Sequence, residues 1–307
     1  MKKEMLGLLL VSLSIVGCSA DAKAKPETIS GDNLDEYGGA DAYDNAGDHD
    51  NSDYWVNPDF YNMTSNDHLT IIPHFKTFQQ TTEWSCGPST ALNVLVNLGV
   101  TTYTEWSLAV GMGASVDEDT VGALPGSADN FYEYGANVRK MYSFLSTLPE
   151  IDVVETSYKA SYTEADLVAE DSGDSPDDIG NLLPTFSSSS LYASENSDAT
   201  EAWVSDAKDS FFVKWVVGHL EAKQPIMVEW GDWDGHWQAI IGYDTCNTPG
   251  IGDDVMIFAD PYDTSDHWQD GYYYYPAERF FYMWQDRNVA PKPYQLQSYI
   301  IIDLKAE

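Results

Sequence analysis

The start of one helix constrains this chain more than any other feature. Ser85-Cys86-Gly87-Pro88 opens a stretch in which Ala91, Leu92, Leu95 and Leu98 recur at spacings of three and four, the period of a helix with one buried face. Pro88 suits the first turn, where a missing N–H costs nothing, and Gly99 is a stop signal. The reading is a helix from Ser85 to Asn97 with a cysteine at its head. A thiol there feels the positive end of the helix dipole, which favours thiolate. Two glutamines, Gln79 and Gln80, lie just upstream, and a side-chain amide so placed can donate to a developing oxyanion.

The periods change along the chain. Leu69 to Phe75 reads as an entering strand. Tyr134 to Leu148 reads as a second helix with Val138, Met141, Tyr142 and Leu145 inward. Asp206 to Lys223 reads as a third, with Phe211, Phe212, Trp215, Val216, His219 and Leu220 on its apolar stripe. Then come four apolar, β-branched or aromatic runs: Ile226 to Trp230, Trp237 to Tyr243, Val255 to Ala259 and Ser298 to Leu304. Helices first and strands afterwards give an α+β fold, N-terminal helices packed on a C-terminal antiparallel sheet. Residues 160–200 are acidic and serine-rich and read as a surface insertion.

Against this layout three side chains form a candidate catalytic set. Cys86 is the nucleophile. Gly87 beside it is read as room for a substrate backbone. His236 opens a strand after Gly235 and is the general base and acid; the other histidines, His219 on its buried stripe among them, read as structural. Asp260 on the following strand orients the imidazole. The rival, Asp244, stands eight residues along the same strand, roughly 26 Å away. Thr245 to Asp254 is then the loop joining the two strands. No HExxH, CxxC or GxSxG pattern occurs, so metal chemistry, a cofactor and a serine nucleophile are not expected.

The net charge of −35, from 50 acidic and 15 basic residues, argues against nucleic acid and against electrostatic docking on anionic lipid. The acidic runs lack the spaced ligands and central glycine of a calcium loop. With 43% hydrophobic residues the chain can build a sizeable core. Lys2 and Lys3 precede an apolar run, Leu6 to Val16, too short to span a membrane. Ile15-Val16-Gly17-Cys18 resembles the lipobox of bacterial lipoproteins. That resemblance implies a signal peptide over 1–17, cleavage before Cys18 and a lipid on its sulfur. Residues 18–66 then read as an acidic, disordered tether, in which Tyr54, Trp55, Phe60 and Tyr61 could dock on a domain spanning 67–307. Setting Cys18 aside leaves Cys86 and Cys246; a disulfide between them would consume the proposed nucleophile.

Gln80-(five residues)-Cys86-Gly87-Pro88, the helix ahead of Gln224-Pro225-Ile226, Gly235-His236-Trp237, Ile241-Gly242-Tyr243-Asp244 and Asp260-Pro261 together resemble the bacteriocin-processing peptidase-like family, cysteine peptidase family thirty-nine, of the papain-like superfamily. The resemblance covers about residues 69–304. It implies a papain-like fold, with Cys86 as nucleophile, His236 as base, Asp260 as its orienting acid and Gln80, six residues before the cysteine, in the oxyanion hole. The interval from His236 to Asp260 implies an added hairpin loop. The expectation is a monomeric, lipid-anchored cysteine peptidase of the bacterial cell envelope, facing outside the cytoplasm, that hydrolyses a peptide or isopeptide bond in a peptide or protein substrate. An acyltransferase using the same triad, or a non-catalytic surface binding module, is the alternative.

Overall fold

The computed structural model describes residues 53–54, 56, 58–82, 84–114, 135–159, 161, 185–197, 203–232, 235–263, 269–284 and 297–306. The signal segment, Cys18 and most of the expected tether lie outside them. So do His49, His267 and the acidic part of the expected insertion, 162–184.

Seven strands form one antiparallel sheet: β1 (Leu69–Ile71), β2 (Ile151–Thr156), β3 (Ile226–Trp230), β4 (His236–Asp244), β5 (Val255–Ala259), β6 (Tyr272–Pro276) and β7 (Ser298–Leu304). Their order across the sheet is β2-β7-β3-β4-β5-β6, with β1 continuing beside the far end of β4. Among the described residues five α-helices pack on it: α1 (Cys86–Asn97), α2 (Glu105–Met112), α3 (Val138–Leu145), α4 (Phe211–Glu221) and α5 (Ala277–Met283).

Both faces of the sheet are buried, which explains why its strands read as nearly unbroken apolar runs. Met227, Trp237, Ala239, Ile241, Ile257, Ala259, Ile300 and Ile302 point to one side. There they meet Ala91, Val94 and Leu95 of α1, Leu108 of α2 and Met141 of α3. Ile226, Val228, Trp230, Ile240, Phe258, Tyr299 and Ile301 point to the other. There they meet Phe212 and Val216 of α4 and Phe280 and Trp284 near α5. Each fully buried side chain of this size contributes about 1.5–3 kcal/mol. A bulge in β4 opposite β5, between Ile240 and Gly242, shifts the alternation so that Tyr243 joins the second face. A Cβ at Gly242 would stand 3.1 Å and 3.2 Å from Ile257 atoms and 3.2 Å from Ile71; only glycine lets these strands close.

The expected helices and strands are present, with shorter bounds for three of them. The entering strand stops at Ile71 because Pro73 and the positive φ of His74 (56°) turn the chain away. The second helix starts at Val138 because Asn137 caps it, accepting from the Lys140 N–H. The third starts at Phe211, where the Ser210 hydroxyl accepts from the Val213 N–H. Four elements were not anticipated: α2, α5, β2 and β6. The sheet is therefore covered by helices on both faces, and the last helix, α5, lies far down the chain.

Two stretches read as loosely attached are built into the body. Phe60 is buried, its ring 5.8 Å from that of Tyr272 and 5.9 Å from that of Tyr274. Within the expected insertion, Phe186 is buried against Phe212 and Trp215 at ring separations of 5.1 Å and 4.7 Å, so 185–197 belongs to the second core. An aromatic in a serine-rich run gives no period, so its burial is not visible in sequence. Among the described residues no helix is long and apolar enough to cross a membrane.

Candidate active site

The site is assembled where the head of α1 meets the first residue of β4. Thr90, one turn into α1, donates its hydroxyl to the Trp237 carbonyl at 2.8 Å. The Trp237 indole donates to the Ala136 carbonyl at 2.6 Å, just before α3. A Cβ at Gly87 would lie 3.0 Å from the Ala136 Cβ, 3.3 Å from Met141 Sδ and 3.4 Å from Trp237 Cδ1. The space left at Gly87 is therefore filled by the protein's own side chains, Ala136, Met141 and Trp237. That close approach brings Cys86 to His236.

The imidazole is held from both ends. His236 Nε2 donates to Asp260 Oδ1 at 2.6 Å, and Cys86 is near enough to help raise the pKa of the ring. With Nε2 committed to the carboxylate, Nδ1 is the nitrogen available to the thiol. His236 and Asp260 are both buried. Burial works against a charged ring, but the Asp260 carboxylate, through its charge and hydrogen bond, outweighs it, and Cys86 adds to the effect. The His236 pKa is pushed up from 6.5 to about 10, which favours the charged ring at neutral pH.

Sheet register places the acid. Ala239 of β4 pairs with Ala259 of β5, so Asp260, the next residue, comes level with Gln238 and diagonal to His236. Besides His236, Asp260 Oδ1 accepts the Tyr262 N–H at 2.9 Å and Oδ2 accepts from Gln238 Nε2 at 2.9 Å. Gln238 Oε1 in turn accepts from the Trp230 indole at 2.7 Å. The rival Asp244 lies at the opposite end of β4, where its Oδ1 meets His68 Nδ1 at 2.7 Å.

Gln80 is buried and tied to the acid's turn: its N–H donates to the Pro261 carbonyl at 2.7 Å. Its side-chain Nε2 donates one hydrogen to the Thr82 carbonyl at 2.8 Å. Gln79 is half-buried and turned toward Gly271 instead. The segment that carries them is laced to α1 by two asparagines one turn apart. Asn97 bonds the Lys76 N–H and carbonyl at 2.8 and 2.7 Å, and Asn93 bonds those of Phe78 at 2.7 and 3.3 Å. Helical side chains here satisfy the backbone of a segment that lies outside the sheet.

Sequence reasoning missed Glu105. This first residue of α2 is buried under the loop between Gln80 and Cys86. Its carboxylate accepts from the Thr81 N–H (3.2 Å), the Thr81 hydroxyl (3.4 Å) and the Ser85 hydroxyl (2.5 Å). Ser85 is the N-cap residue of α1, yet its hydroxyl makes no cap hydrogen bond; it is turned to Glu105. A glutamate in a first helical turn normally reads as an exposed partner of the dipole, so the sequence carried no signal of this role.

The other candidates settle into structural roles. His219 Nδ1 meets Gln224 Oε1 at 2.9 Å and Nε2 meets Glu155 Oε2 at 3.2 Å. Cys86 and Cys246 are both free thiols, the first buried and the second exposed. Among the described residues no group of three or more His, Cys, Asp or Glu side chains comes together as a metal site.

A buried, hydrogen-bonded imidazole and carboxylate, with the buried free thiol of Cys86 close by, make this a candidate site for cysteine chemistry. Comparison with known proteins carries this further: residues 72–289, well over half of the chain, match the Peptidase C39-like family, and the chain belongs to that family. Membership suggests a cysteine peptidase. No curated protein and no solved structure matches the chain.

Proposed function

We propose that this protein is a papain-like cysteine peptidase in which Cys86, His236 and Asp260 act as a triad. The observation that carries the reading is the buried 2.6 Å bond from His236 Nε2 to Asp260 Oδ1, on a ring whose pKa Cys86 also helps to raise. Thiolate is the nucleophilic form of cysteine, and the imidazolium beside it is the acid ready for the leaving group. The Cys86 sulfur attacks the carbonyl carbon of a peptide or isopeptide bond, and the carbonyl oxygen takes up the negative charge. The Cys86 N–H and the second Nε2 hydrogen of Gln80 receive that oxyanion. His236 gives its proton to the amine as the C–N bond breaks, leaving a thioester. Water then attacks, His236 takes its proton, and the acid and free thiol are released. Asp260 keeps the ring in one tautomer throughout.

We further propose that the mature chain begins at a lipidated Cys18, sits in the bacterial envelope facing outward, and meets its peptide or protein substrate there as a monomer. The lipobox-like Val16-Gly17-Cys18 supports this. Cys18→Ser is expected to release the protein into the soluble fraction; retention in the membrane would contradict the anchor.

Thiol labelling tests the catalytic reading. With a limiting alkylating reagent at neutral pH, Cys86 should label faster than Cys246 despite its burial, and His236→Ala should abolish that preference. Faster labelling of exposed Cys246 would overturn the reading.

A further inference from the structure

A hydrogen-bonded chain crosses three strands on one face of the sheet and ends at the proposed base. Trp230 of β3 pairs in register with His236 of β4, and Gln238 lies two residues along β4 on the same face. Asp260 comes level with Gln238 just beyond β5. The links run from Trp230 Nε1 to Gln238 Oε1 at 2.7 Å, from Gln238 Nε2 to Asp260 Oδ2 at 2.9 Å, and from His236 Nε2 to Asp260 Oδ1 at 2.6 Å. All four side chains are almost wholly buried.

The direction of the chain is not arbitrary. An indole nitrogen only donates, so the Gln238 carbonyl oxygen must face Trp230 and its NH2 must face Asp260. A Gln238 amide turned the other way would set its oxygen against the Asp260 carboxylate and its NH2 against the indole N–H. Two buried clashes of like polarity would follow, each leaving a group without a partner. Trp230 therefore fixes Gln238, and Gln238 fixes the plane of the carboxylate that orients His236. The Trp230 ring is itself clamped by Phe280 at 5.3 Å and Tyr275 at 5.2 Å, so the chain starts from a rigid anchor.

We infer that Trp230 and Gln238 are positioning residues for the His236–Asp260 pair, acting only through hydrogen bonds that set the direction of Asp260. This rests on the triad reading of Cys86, His236 and Asp260. The test is the pH dependence of Cys86 alkylation by iodoacetamide in the full-length protein, site-resolved by mass spectrometry. Trp230→Phe keeps an aromatic ring, though a smaller one, and removes the N–H; Gln238→Met keeps the length and removes the amide. Each should lower the Cys86 rate at neutral pH about tenfold, the size that one neutral hydrogen bond commands, and move the midpoint of the profile. Exposed Cys246 should label at the wild-type rate, which separates this effect from unfolding. A wild-type Cys86 profile in Trp230→Phe overturns the inference, even if Gln238→Met fails to fold. His236→Ala separates the two levels. If it too leaves the profile unchanged, the triad reading falls and this inference with it. If it alone changes the profile, the triad stands and the positioning role is lost.

Discussion

Replacing Asp260 with asparagine removes one charge from a buried site and leaves the shape nearly unchanged. In the wild type the His236 pKa rises from 6.5 to about 10 on folding, worth ~5 kcal/mol at ~1.36 kcal/mol per pKa unit. Because the folded value lies above the unfolded one, this contribution is fully present below pH 6.5 and is lost as pH rises through about 10. Burial opposes the charged ring and Asp260 is the main group that overcomes it, so loss of the carboxylate should remove essentially all of this ~5 kcal/mol at pH 6. Burial, now unopposed by a carboxylate, disfavours the charged ring. A second, pH-independent cost comes from Gln238. Its NH2 would face the NH2 of the substituted side chain, orphaning one buried donor at ~1–3 kcal/mol. Urea unfolding of both proteins between pH 6 and pH 10 measures the difference directly. It should be largest at pH 6 and shrink toward the smaller, constant cost near pH 10. A difference that stays flat across this range would show that Asp260 does not hold His236 charged, and would refute the electrostatic account of the site.

Three further outcomes are expected. Gly87→Ala should destabilise the fold by roughly 1–3 kcal/mol in thermal or urea melts, because its Cβ would press on Ala136, Met141 and Trp237 at 3.0–3.4 Å; an unchanged melt would mean that α1 has slack at its head. Gln80→Ala should lower kcat roughly 100-fold, the usual cost of one oxyanion donor, while Cys86 labelling persists. Gln79→Ala should be nearly silent, and the reverse ranking in peptide hydrolysis would put the oxyanion donor one residue away. Glu105→Ala should cost about 2–4 kcal/mol in urea unfolding, since the Thr81 N–H and the Ser85 hydroxyl lose their buried acceptor; a loss below about 0.5 kcal/mol, the noise of a surface substitution, would deny it that role.

The parts of this fold that were legible in the sequence share one property: their burial is written in an apolar run with sharp ends. β3, β5 and β7 were bounded to the residue, because Pro225, Asp254, Asp260 and the Ile300-Ile301-Ile302 run leave little choice. The missed elements lack that contrast. In β6 four consecutive tyrosines run from buried Tyr272 through half-buried Tyr273 and Tyr275 to exposed Tyr274 without any change of residue type, so the period of two is hidden. α2 carries apolar and small residues on every side, so no helical face stands out, and α5 has only 7 residues.

The site divides in the same way. The pairing of His236 with Asp260, and not with Asp244, was legible because the strand argument needed only chain topology. Gln238, Trp230 and Glu105 were not, because their roles depend on sheet register and on which side of a loop a carboxylate lies. Neither is encoded in local sequence. Gly87 shows the limit from the other side: its need for space was legible, but the occupant of that space was not.

A catalytic Cys86 carries an acyl group during turnover. Incubation with a diverse peptide library, followed by acid quench and peptide-resolved mass spectrometry, tests it most directly. Cleaved peptides should appear together with an acyl adduct on Cys86 in the wild type. In Asp260→Asn turnover should fall steeply, and in Cys86→Ala both cleavage and adduct should vanish. Cleavage that survives Cys86→Ala, or an adduct that maps to Cys246, would contradict the account.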